Sequence, residues 1–511
     1  MSTIDPAFDL PVRSGLAEGR LGTRSLIFFT VSASAPMTVL AGSIVATLAV
    51  TGSVGTPLSF PILAVALALF AVGYAAMTRY VSNAGAFYTY IAQGLGRTPG
   101  VGASFVALLA YNAIQIALYG LLGLVMSAFA TQHWHLTWAW WVWALIGWAA
   151  VGVLGILKVD LNARVLAFLL VVEVLAVLAF DLGAFTHPAG GAVSLAGLDP
   201  RRLSWHQMGG VFAFGIAAFV GFESAPTYSE EAKQKSRTVA RATYAAIAIT
   251  GVLYTVSAWA LTVGAGPDTV VGMARDPNSG IPFNLIAGAY GQAGNAMALV
   301  ANTLLITSVF AALLSFHNVV ARYTYSAALE GVLPHRLAAT SARSAAPWAG
   351  SLLQSACAIA VVATFAALGR NPLSELFTWL SYVAAVGVLL LMFGTSIAVI
   401  GFFRRADRTR GLEGAWQRTT APALATLALG AITYVTVTNA SSVLGTGTTS
   451  PLVWILPGMV FAAAVAGALW ALVLRTVDPR AYRAIGQRGV TPAARSAGWH
   501  DVAPFAPSHR R

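Results

Sequence analysis

Residues 205–241, WHQMGGVFAFGIAAFVGFESAPTYSEEAKQKSRTVAR, decide how the rest of the chain is interpreted. No Asp, Glu, Lys or Arg occurs from Leu203 to Phe222. At about 1.5 Å per residue, that run is long enough to cross the hydrocarbon core of a bilayer. A cluster of charges follows, beginning at Glu223. We therefore predict a transmembrane helix whose regular backbone is interrupted near this glutamate.

Glycine and proline are the cause of the predicted interruption. Pro226 cannot donate a backbone hydrogen bond, and glycine is a poor helix former. The glycines in the run are Gly209, Gly210, Gly215 and Gly221. In hydrocarbon an opened backbone is tolerated only where it lines a cavity or is buried in protein, so a discontinuous helix indicates a binding site. The alternative is a glycine-rich helix that packs tightly against its neighbours.

The composition is that of a polytopic membrane protein. Of the 511 residues, 57% are hydrophobic and 9% are charged, which is far more apolar than an average soluble domain. Charge-free stretches at 25–78, 98–157 and 419–474 each hold two membrane spans. The net charge of +12 comes from basic residues in short loops, where orientation explains it better than nucleic acid binding. The lone Cys357 excludes an intrachain disulfide.

We predict an all-α fold with twelve transmembrane helices. Their spans are 25–50, 57–78, 99–128, 137–157, 161–182, 205–231, 242–264, 293–325, 346–368, 373–403, 420–440 and 451–474. An even number of spans puts both termini on one side, and the loops of that side hold most of the basic residues. By the positive-inside rule, the tails at 1–23 and 476–511 are cytoplasmic in a multi-pass protein of the cell membrane.

Two matched interruptions predict an inverted repeat. The first span contains Pro36 about a third of the way along, and the sixth contains the interruption near Glu223. Because the two spans are an odd number of helices apart, they enter the membrane from opposite sides, as inverted repeats of five helices require. We predict the repeats at 24–182 and 183–403, with two further helices in 404–475.

Four motifs resemble one transporter superfamily. They are SASAPMTVLAG at 32–42, VSNAGAFYTYIAQGLGR at 81–97, GFESAPTYSEEAKQKSRTVARA at 221–242 and FHNVVARYTYSAALEGVLPHRLA at 316–338. Together, and in this order, they resemble permeases of the amino acid-polyamine-organocation (APC) superfamily. The resemblance implies a leucine-transporter-type fold with discontinuous helices 1 and 6, and uptake or exchange of amino acids or related amines between them.

The resemblance also implies where a zwitterion binds. Freed N–H groups of a broken helix favour a carboxylate, and freed carbonyls favour an ammonium group. The carboxylate is expected at the first interruption and the ammonium group at the sixth helix. The positions are Ser32, Ala33, Ser34, Ala35 and Met37 for the carboxylate, and Phe214, Gly215, Ala217 and Val220 for the ammonium group. The segment SASAP departs from the glycine-rich loop of the family, and an ordinary proline kink is the alternative.

Polar and aromatic residues elsewhere are candidates for the lining or for a sodium site. The lining candidates are Phe214, Phe219, Tyr111, Asn112, Gln115 and Tyr119, of which positions 112, 115 and 119 share one helix face. Hydrogen bonding between helices is the alternative for that face. Thr307 and Ser308 form a candidate sodium site, and a bond to a carbonyl of their own helix is the alternative. No zinc-ligand spacing occurs, so we expect no metal site and no cofactor.

Two glutamates are the candidates for proton coupling. Glu173 lies in the middle of the apolar fifth span, where an isolated carboxylate is costly, so it is either neutral or paired. Some proton-coupled relatives place a lysine close to this position, whereas a neutral glutamate bonded across helices is the alternative. Glu223 lies at the interruption of helix 6. Glu230, Glu231, Lys233 and Lys235 follow as an inner gate or a solvated cluster.

These features favour a secondary active transporter for amino acids, with proton symport by alternating access. A membrane enzyme would need clustered catalytic groups at membrane depth, and a channel would need a ring of polar residues; neither pattern occurs. An exchanger, a sodium-coupled symporter and a sensor without transport are the alternatives. The expected substrate is a neutral or modestly polar amino acid, or, if a glutamate faces it, a cationic amino acid or polyamine. The oligomeric state is left open.

Overall fold

The computed structural model describes residues 23–81, 86–156, 163–223, 235–276, 279–341, 346–405, 413–445 and 449–487. Across these residues the regular structure is helical. The α-helices are α1 Thr23–Ser34, α2 Pro36–Thr38, α3 Val45–Thr51, α4 Ser59–Met77, α5 Ala86–Leu95, α6 Arg97–Trp134, α7 Trp140–Ile156, α8 Ala163–Thr186, α9 Trp205–Phe219, α10 Lys235–Ala265, α11 Val270–Arg275, α12 Ile281–Ala289, α13 Gly291–Leu329, α14 Trp348–Ala367, α15 Thr378–Arg405, α16 Ala421–Thr438, α17 Ala440–Leu444, α18 Leu452–Val477 and α19 Pro479–Ala484. Short π-helical segments at Val39–Ile44, Pro372–Phe377 and Trp416–Thr420 join α2 to α3 and precede α15 and α16.

Nine helices of the described residues are long and apolar enough to cross a membrane. They are Thr56–Met77, Arg97–Trp134, Phe168–Thr186, Ala240–Ala265, Gly291–Leu329, Trp348–Ala367, Pro372–Arg405, Trp416–Thr438 and Leu452–Val477. Each overlaps a predicted span. The remaining predicted spans overlap shorter helices at Pro36–Thr51, Trp140–Ile156 and Trp205–Phe219. The prediction of an all-helical, multi-pass membrane protein is therefore confirmed.

The backbone of the first predicted span changes direction at Ala35. This residue has φ 45° and ψ 76°, the left-handed conformation, between the end of α1 and the start of α2. A residue with a Cβ adopts that conformation at a cost of about 1–2 kcal/mol. Pro36 then occupies the first position of α2, where the missing N–H is tolerated. The interruption expected at Pro36 thus lies between Ser34 and Pro36.

The helix of the sixth predicted span is shorter than expected. Helix α9 begins after a capping box between Ser204 and Gln207 and ends at Phe219, not near residue 231. Gly221 has φ 118°, a conformation that residues with a Cβ rarely adopt, so the chain turns there. Pro226, to which the interruption was partly attributed, lies outside the described residues, as do Glu230, Glu231 and Lys233.

The other glycines of this span serve close packing. A Cβ on Gly209 would lie 2.6 Å from the Cβ of Asn439, and one on Gly210 would lie 2.4 Å from Cγ2 of Thr51. Gly215 approaches Leu63 of α4 in the same way, at 2.5 Å from Cδ1. The two interpretations of the glycine-rich run therefore apply to different glycines. Three of them allow helices to approach, and Gly221 allows the turn.

Helix α6 lies at the centre of the bundle. It packs against α5, α7, α13, α15 and α18, while α4 packs against α10, and α8 packs against α1, α10 and α12. One continuous apolar core joins α6 to the region around Ala35 and to the end of α9. Helices α5, α11, α12 and α19 lie outside the predicted spans and were not anticipated. The two interruptions consequently face each other inside the core.

Candidate functional site

A small cavity lies between the two interruptions. Its volume is about 40 Å³, and because one water molecule needs roughly 10–15 Å³, it has room for about three. It is lined by Ser34, Ala35, Thr38, Val39, Ser43, Ile114, Leu118, Ala217, Ala218, Val220, Ala312, Phe316, Phe377 and Ser381. No charged side chain occurs in this lining. The polar groups that face the cavity are hydroxyls of serine and threonine and the backbone of the interrupted segments.

Only some of the predicted binding residues line the cavity. Ser34, Ala35, Ala217 and Val220 do. Phe214 lies behind the lining, with its ring stacked against Phe377 at a centroid distance of 6.4 Å. Phe219 packs against Phe60 and Tyr254, Gly215 packs against α4, and Met37 is buried in the core. Ser32 and Ala33 belong to α1, but their side chains lie outside the described ones.

Thr38 is a lining residue that the sequence did not single out. It lies in the first turn of the helix that follows Pro36, and the first backbone bond across that turn runs from the N–H of Val39 to the carbonyl of Ala35. The N–H groups of Met37 and Thr38 therefore have no partner within their own helix. The N–H of Thr38 is therefore available near the cavity wall, whereas its hydroxyl donates to Ser308.

Glu173 reaches the first interruption from α8. Its Oε2 accepts a hydrogen bond of 2.9 Å from the hydroxyl of Ser308, which in turn accepts one of 3.0 Å from Thr38. The backbone of Met37 is its other hydrogen-bonding neighbour. With 5% exposure, the carboxyl group is buried. Glu173 thus connects three separate elements, α8, α13 and the start of α2.

The candidate sodium pair is divided by the structure. The hydroxyl of Thr307 donates to the carbonyl of Leu304 in its own helix, at 3.0 Å. This is the local bond that we gave as the alternative. Ser308 instead points to Glu173. The two side chains therefore do not converge on a common point.

Glu223 closes the turn at the end of α9. Its Oε2 accepts from the N–H of Gly221 at 2.9 Å, and its Oε1 accepts from the hydroxyl of Tyr111 at 2.7 Å. The hydroxyl of Tyr74 donates to the carbonyl oxygen of Glu223 at 3.4 Å. Glu223 is 3% exposed and does not face the cavity. Tyr111 therefore contacts the turn at the end of α9 rather than the cavity.

The polar face of α6 points away from the cavity. Nε2 of Gln115 lies 3.4 Å from the hydroxyl of Tyr119 and 3.3 Å from Nδ1 of His317. Asn112 donates to the carbonyl of Leu108 in its own helix. The neighbouring face of α6 meets the cavity with Ile114 and Leu118. At Gln115 the structure therefore shows a hydrogen bond between helices, from α6 to His317 of α13, which is the alternative given for this face.

Three polar residues of the core were missed by the sequence analysis. His317 is fully buried, with Nε2 2.6 Å from the hydroxyl of Ser351. Tyr254 of α10 donates to the carbonyl of Ser34 at 3.0 Å, beside the interruption. Asp181 is buried in α8 and accepts from Ser257 at 3.1 Å. The available signal for Asp181 was an acidic residue on the same side of the helix as Glu173, within an apolar span.

Comparisons with known proteins agree with this architecture. A family described as "Amino acid permease" matches residues 21–467. Among solved structures, the chain is similar to the manganese transporter of Eremococcus coleocola, crystallised with an aromatic bis-isothiourea substituted compound. The TM-score is 0.55 and the identity 13%, over 93% of this chain and 100% of that chain. At this identity the likeness concerns the fold. A comparison with curated proteins gave no match.

The apolar helical bundle and the match to a permease family define a multi-pass membrane transporter. The chain belongs to the amino acid permease family. The predicted membership of the APC superfamily is thereby confirmed.

Proposed function

We propose that the protein is a proton-coupled symporter of small neutral amino acids. It works by alternating access, with the substrate held between the interruptions at Ala35 and Gly221. The proposal includes twelve membrane helices arranged as two inverted repeats of five, 24–182 and 183–403, followed by two more. It also includes cytoplasmic termini in the cell membrane.

The lining of the cavity supports a small neutral substrate. The cavity is narrow and apolar along much of its wall. Four alanines leave room only for a small substrate side chain, and two phenylalanines add apolar surface: Ala35, Ala217, Ala218, Ala312, Phe316 and Phe377. Glu173 and Glu223 are not part of this lining, which disfavours the cationic amino acids and polyamines considered from the sequence. Manganese belongs to the structural neighbour alone. Manganese is bound by carboxylate, carbonyl and water oxygens, and the lining described here contains no carboxylate.

The two interruptions offer opposite partial charges to a zwitterion. The N–H of Thr38 is in the first turn of its helix, where a carboxylate is favoured. The last carbonyls of α9, before Val220, are at a helix C-terminus, where an ammonium group is favoured. We therefore assign the substrate carboxylate to the N–H of Thr38, where the sequence had suggested Met37. Ala217 and Val220 remain assigned to the ammonium group.

The position of Glu173 is the observation that carries the coupling proposal. An ionised carboxylate only accepts, here from Ser308 and from the backbone of Met37, whereas a protonated one carries an O–H donor and accepts less strongly. Binding a proton therefore changes the contacts that link α8, α13 and the start of α2. A sodium ion at Thr307 and Ser308 is less favoured, because Thr307 points to its own helix.

Uptake into proteoliposomes tests the function. We expect wild-type protein to accumulate [³H]L-alanine under an inward proton gradient and without sodium. Glu173→Gln, a near-isosteric change, should abolish accumulation while exchange of internal for external alanine persists. A sodium requirement would return attention to Ser308, and binding of alanine without any flux would indicate a sensor. Accumulation by Glu173→Gln with an unchanged pH profile would refute coupling through Glu173.

A further inference from the structure

A second buried carboxyl group lies about two turns beyond Glu173 on α8. Asp181 occupies position i+8 from Glu173, so the two side chains are about 80° apart on the same side of the helix. At 1.5 Å per residue their backbones are about 12 Å apart along the axis. Asp181 is 4% exposed, and its Oδ1 has no hydrogen-bond partner within the described part of the chain. A buried, half-satisfied carboxyl group of this kind is expensive to maintain in a membrane helix.

Helix α10 provides polar groups between these two carboxyl groups. Ser257 donates to Oδ2 of Asp181 at 3.1 Å. One turn earlier in α10, the hydroxyl of Tyr254 donates to the carbonyl of Ser34. Since side chains of a helix lean toward its N-terminus, Tyr254 extends from one turn before Ser257 toward the interruption that Glu173 contacts.

The register of the two helices supports this path. Ala246 packs with Leu170 in one buried cluster, and Ser257 bonds to Asp181. Both pairs have the same offset in sequence, so α8 and α10 run side by side in the same direction. Tyr254 consequently lies at a height between Asp181 and Glu173.

The electrostatic surroundings of Asp181 contain no described cation. From α10 it faces Ser257 and, one turn away, Tyr254. Tyr290, at the start of α13, donates to the carbonyl of Ala179. Helix α12 has no ionisable residue. Toward the end of α8, His187 is exposed, and its Nδ1 lies within hydrogen-bond distance of Thr186 and the carbonyl of Gly183.

We propose that Asp181 is a second proton-binding site, which loads Glu173 through the hydroxyls of Ser257 and Tyr254. A proton binds the Asp181 carboxylate from the end of the bundle at which α8 terminates. Each hydroxyl then takes up one proton and releases its own, so Asp181 loses one proton for each that reaches the Glu173 carboxylate. The separation of about 12 Å exceeds a hydrogen bond, so intermediate carriers are required. This inference rests on the proposed coupling at Glu173. It adds the entry route, which neither the family nor the cavity implies.

Matched variants in proteoliposomes test the route. Asp181→Asn should reduce the initial rate of gradient-driven [³H]L-alanine uptake by roughly 100-fold or more, the scale of a lost proton-transfer group. Alanine exchange at equal pH should stay within about twofold of wild type, because no residue of the cavity is altered. Asp268→Asn makes the same chemical change at an exposed turn and should behave as wild type.

Two outcomes separate this inference from the proposed function. If Glu173→Gln is uncoupled but Asp181→Asn equals Asp268→Asn, the entry route is wrong and the function stands. If Glu173→Gln is fully coupled, the proposed function fails and the route fails with it.

A second pair of variants covers the case in which Asp181→Asn also loses exchange. Asp181→Glu and Asp181→Gln are equal in size, but only the first binds a proton. Gradient-driven uptake should be faster for Asp181→Glu by about tenfold or more. Equal rates in the two variants would overturn the proposal.

Discussion

Ser308 provides the sharpest test of the link between Glu173 and the first interruption. Its hydroxyl donates to Glu173 and accepts from Thr38, so Ser308→Ala removes a partner from two buried groups at once. Each buried group left unsatisfied costs about 1–3 kcal/mol. The described conformation, in which these bonds join α2, α8 and α13, should therefore become less stable by about 2–6 kcal/mol relative to conformations without these bonds.

Thr307→Ala is the matched control in the same helix. Thr307 donates only to the carbonyl of Leu304, three residues earlier, and is half-buried. A change of that kind typically alters stability by no more than about 0.5 kcal/mol.

The measurement is equilibrium binding of [³H]L-alanine to purified protein in a scintillation proximity assay. If the described conformation is the one that binds and is a minor state of the free protein, loss of about 2 kcal/mol lowers its population and weakens apparent affinity roughly 30-fold. Thr307→Ala should change affinity by less than about threefold. Size-exclusion chromatography checks that both variants are folded. Equal affinities in the two variants would refute the structural role assigned to Ser308.

Two further predictions concern glycines. Gly215→Val should destabilise the protein by about 1–3 kcal/mol in thermal unfolding, because its Cβ would lie 2.5 Å from Leu63. The control is Gly458→Val, at an open position of α18. Equal unfolding temperatures of the two variants would contradict the packing argument. Gly486→Ala should make residues 479–487 more accessible to limited proteolysis without changing alanine affinity. The reason is that Gly486 has φ 71° and a Cβ there would lie 2.8 Å from Ala92. Unaltered cleavage would show that this contact does not hold residues 479–487 in place.

Much of the fold was predictable because membrane spans are a matter of length and charge. Long apolar stretches predicted the positions of the long helices to within about seven residues at each end. The roles of individual glycines were not predictable in this way. Gly209 is needed because Asn439, far away in sequence, packs against it, whereas Gly221 is needed for its own φ of 118°. Only the first kind depends on a neighbour that the sequence does not identify.

The candidate site was predicted at the level of segments rather than side chains. The regions around Ala35 and Val220 do meet at one cavity, as the matched interruptions suggested. The polar face of α6 was predicted to line the cavity. It points instead to His317, and Ile114 faces the cavity. The error has a physical reason. Buried polar groups require partners wherever they are, so polarity identifies an inward face without saying what it faces.

The two interruptions are satisfied by glutamates in different ways, and this difference favours Glu173 as the site of the proposed coupling. Glu223 bonds to the N–H of Gly221, two residues before it, so it moves together with the turn that it stabilises. Glu173 belongs to α8 and bonds to elements that are far away in sequence, namely Ser308 and the backbone of Met37. A proton on Glu223 alters that turn and a single contact with another helix, the bond from Tyr111 of α6. A proton on Glu173 alters the contacts between helices, and a change of contacts between helices is what alternating access needs from its coupling ion.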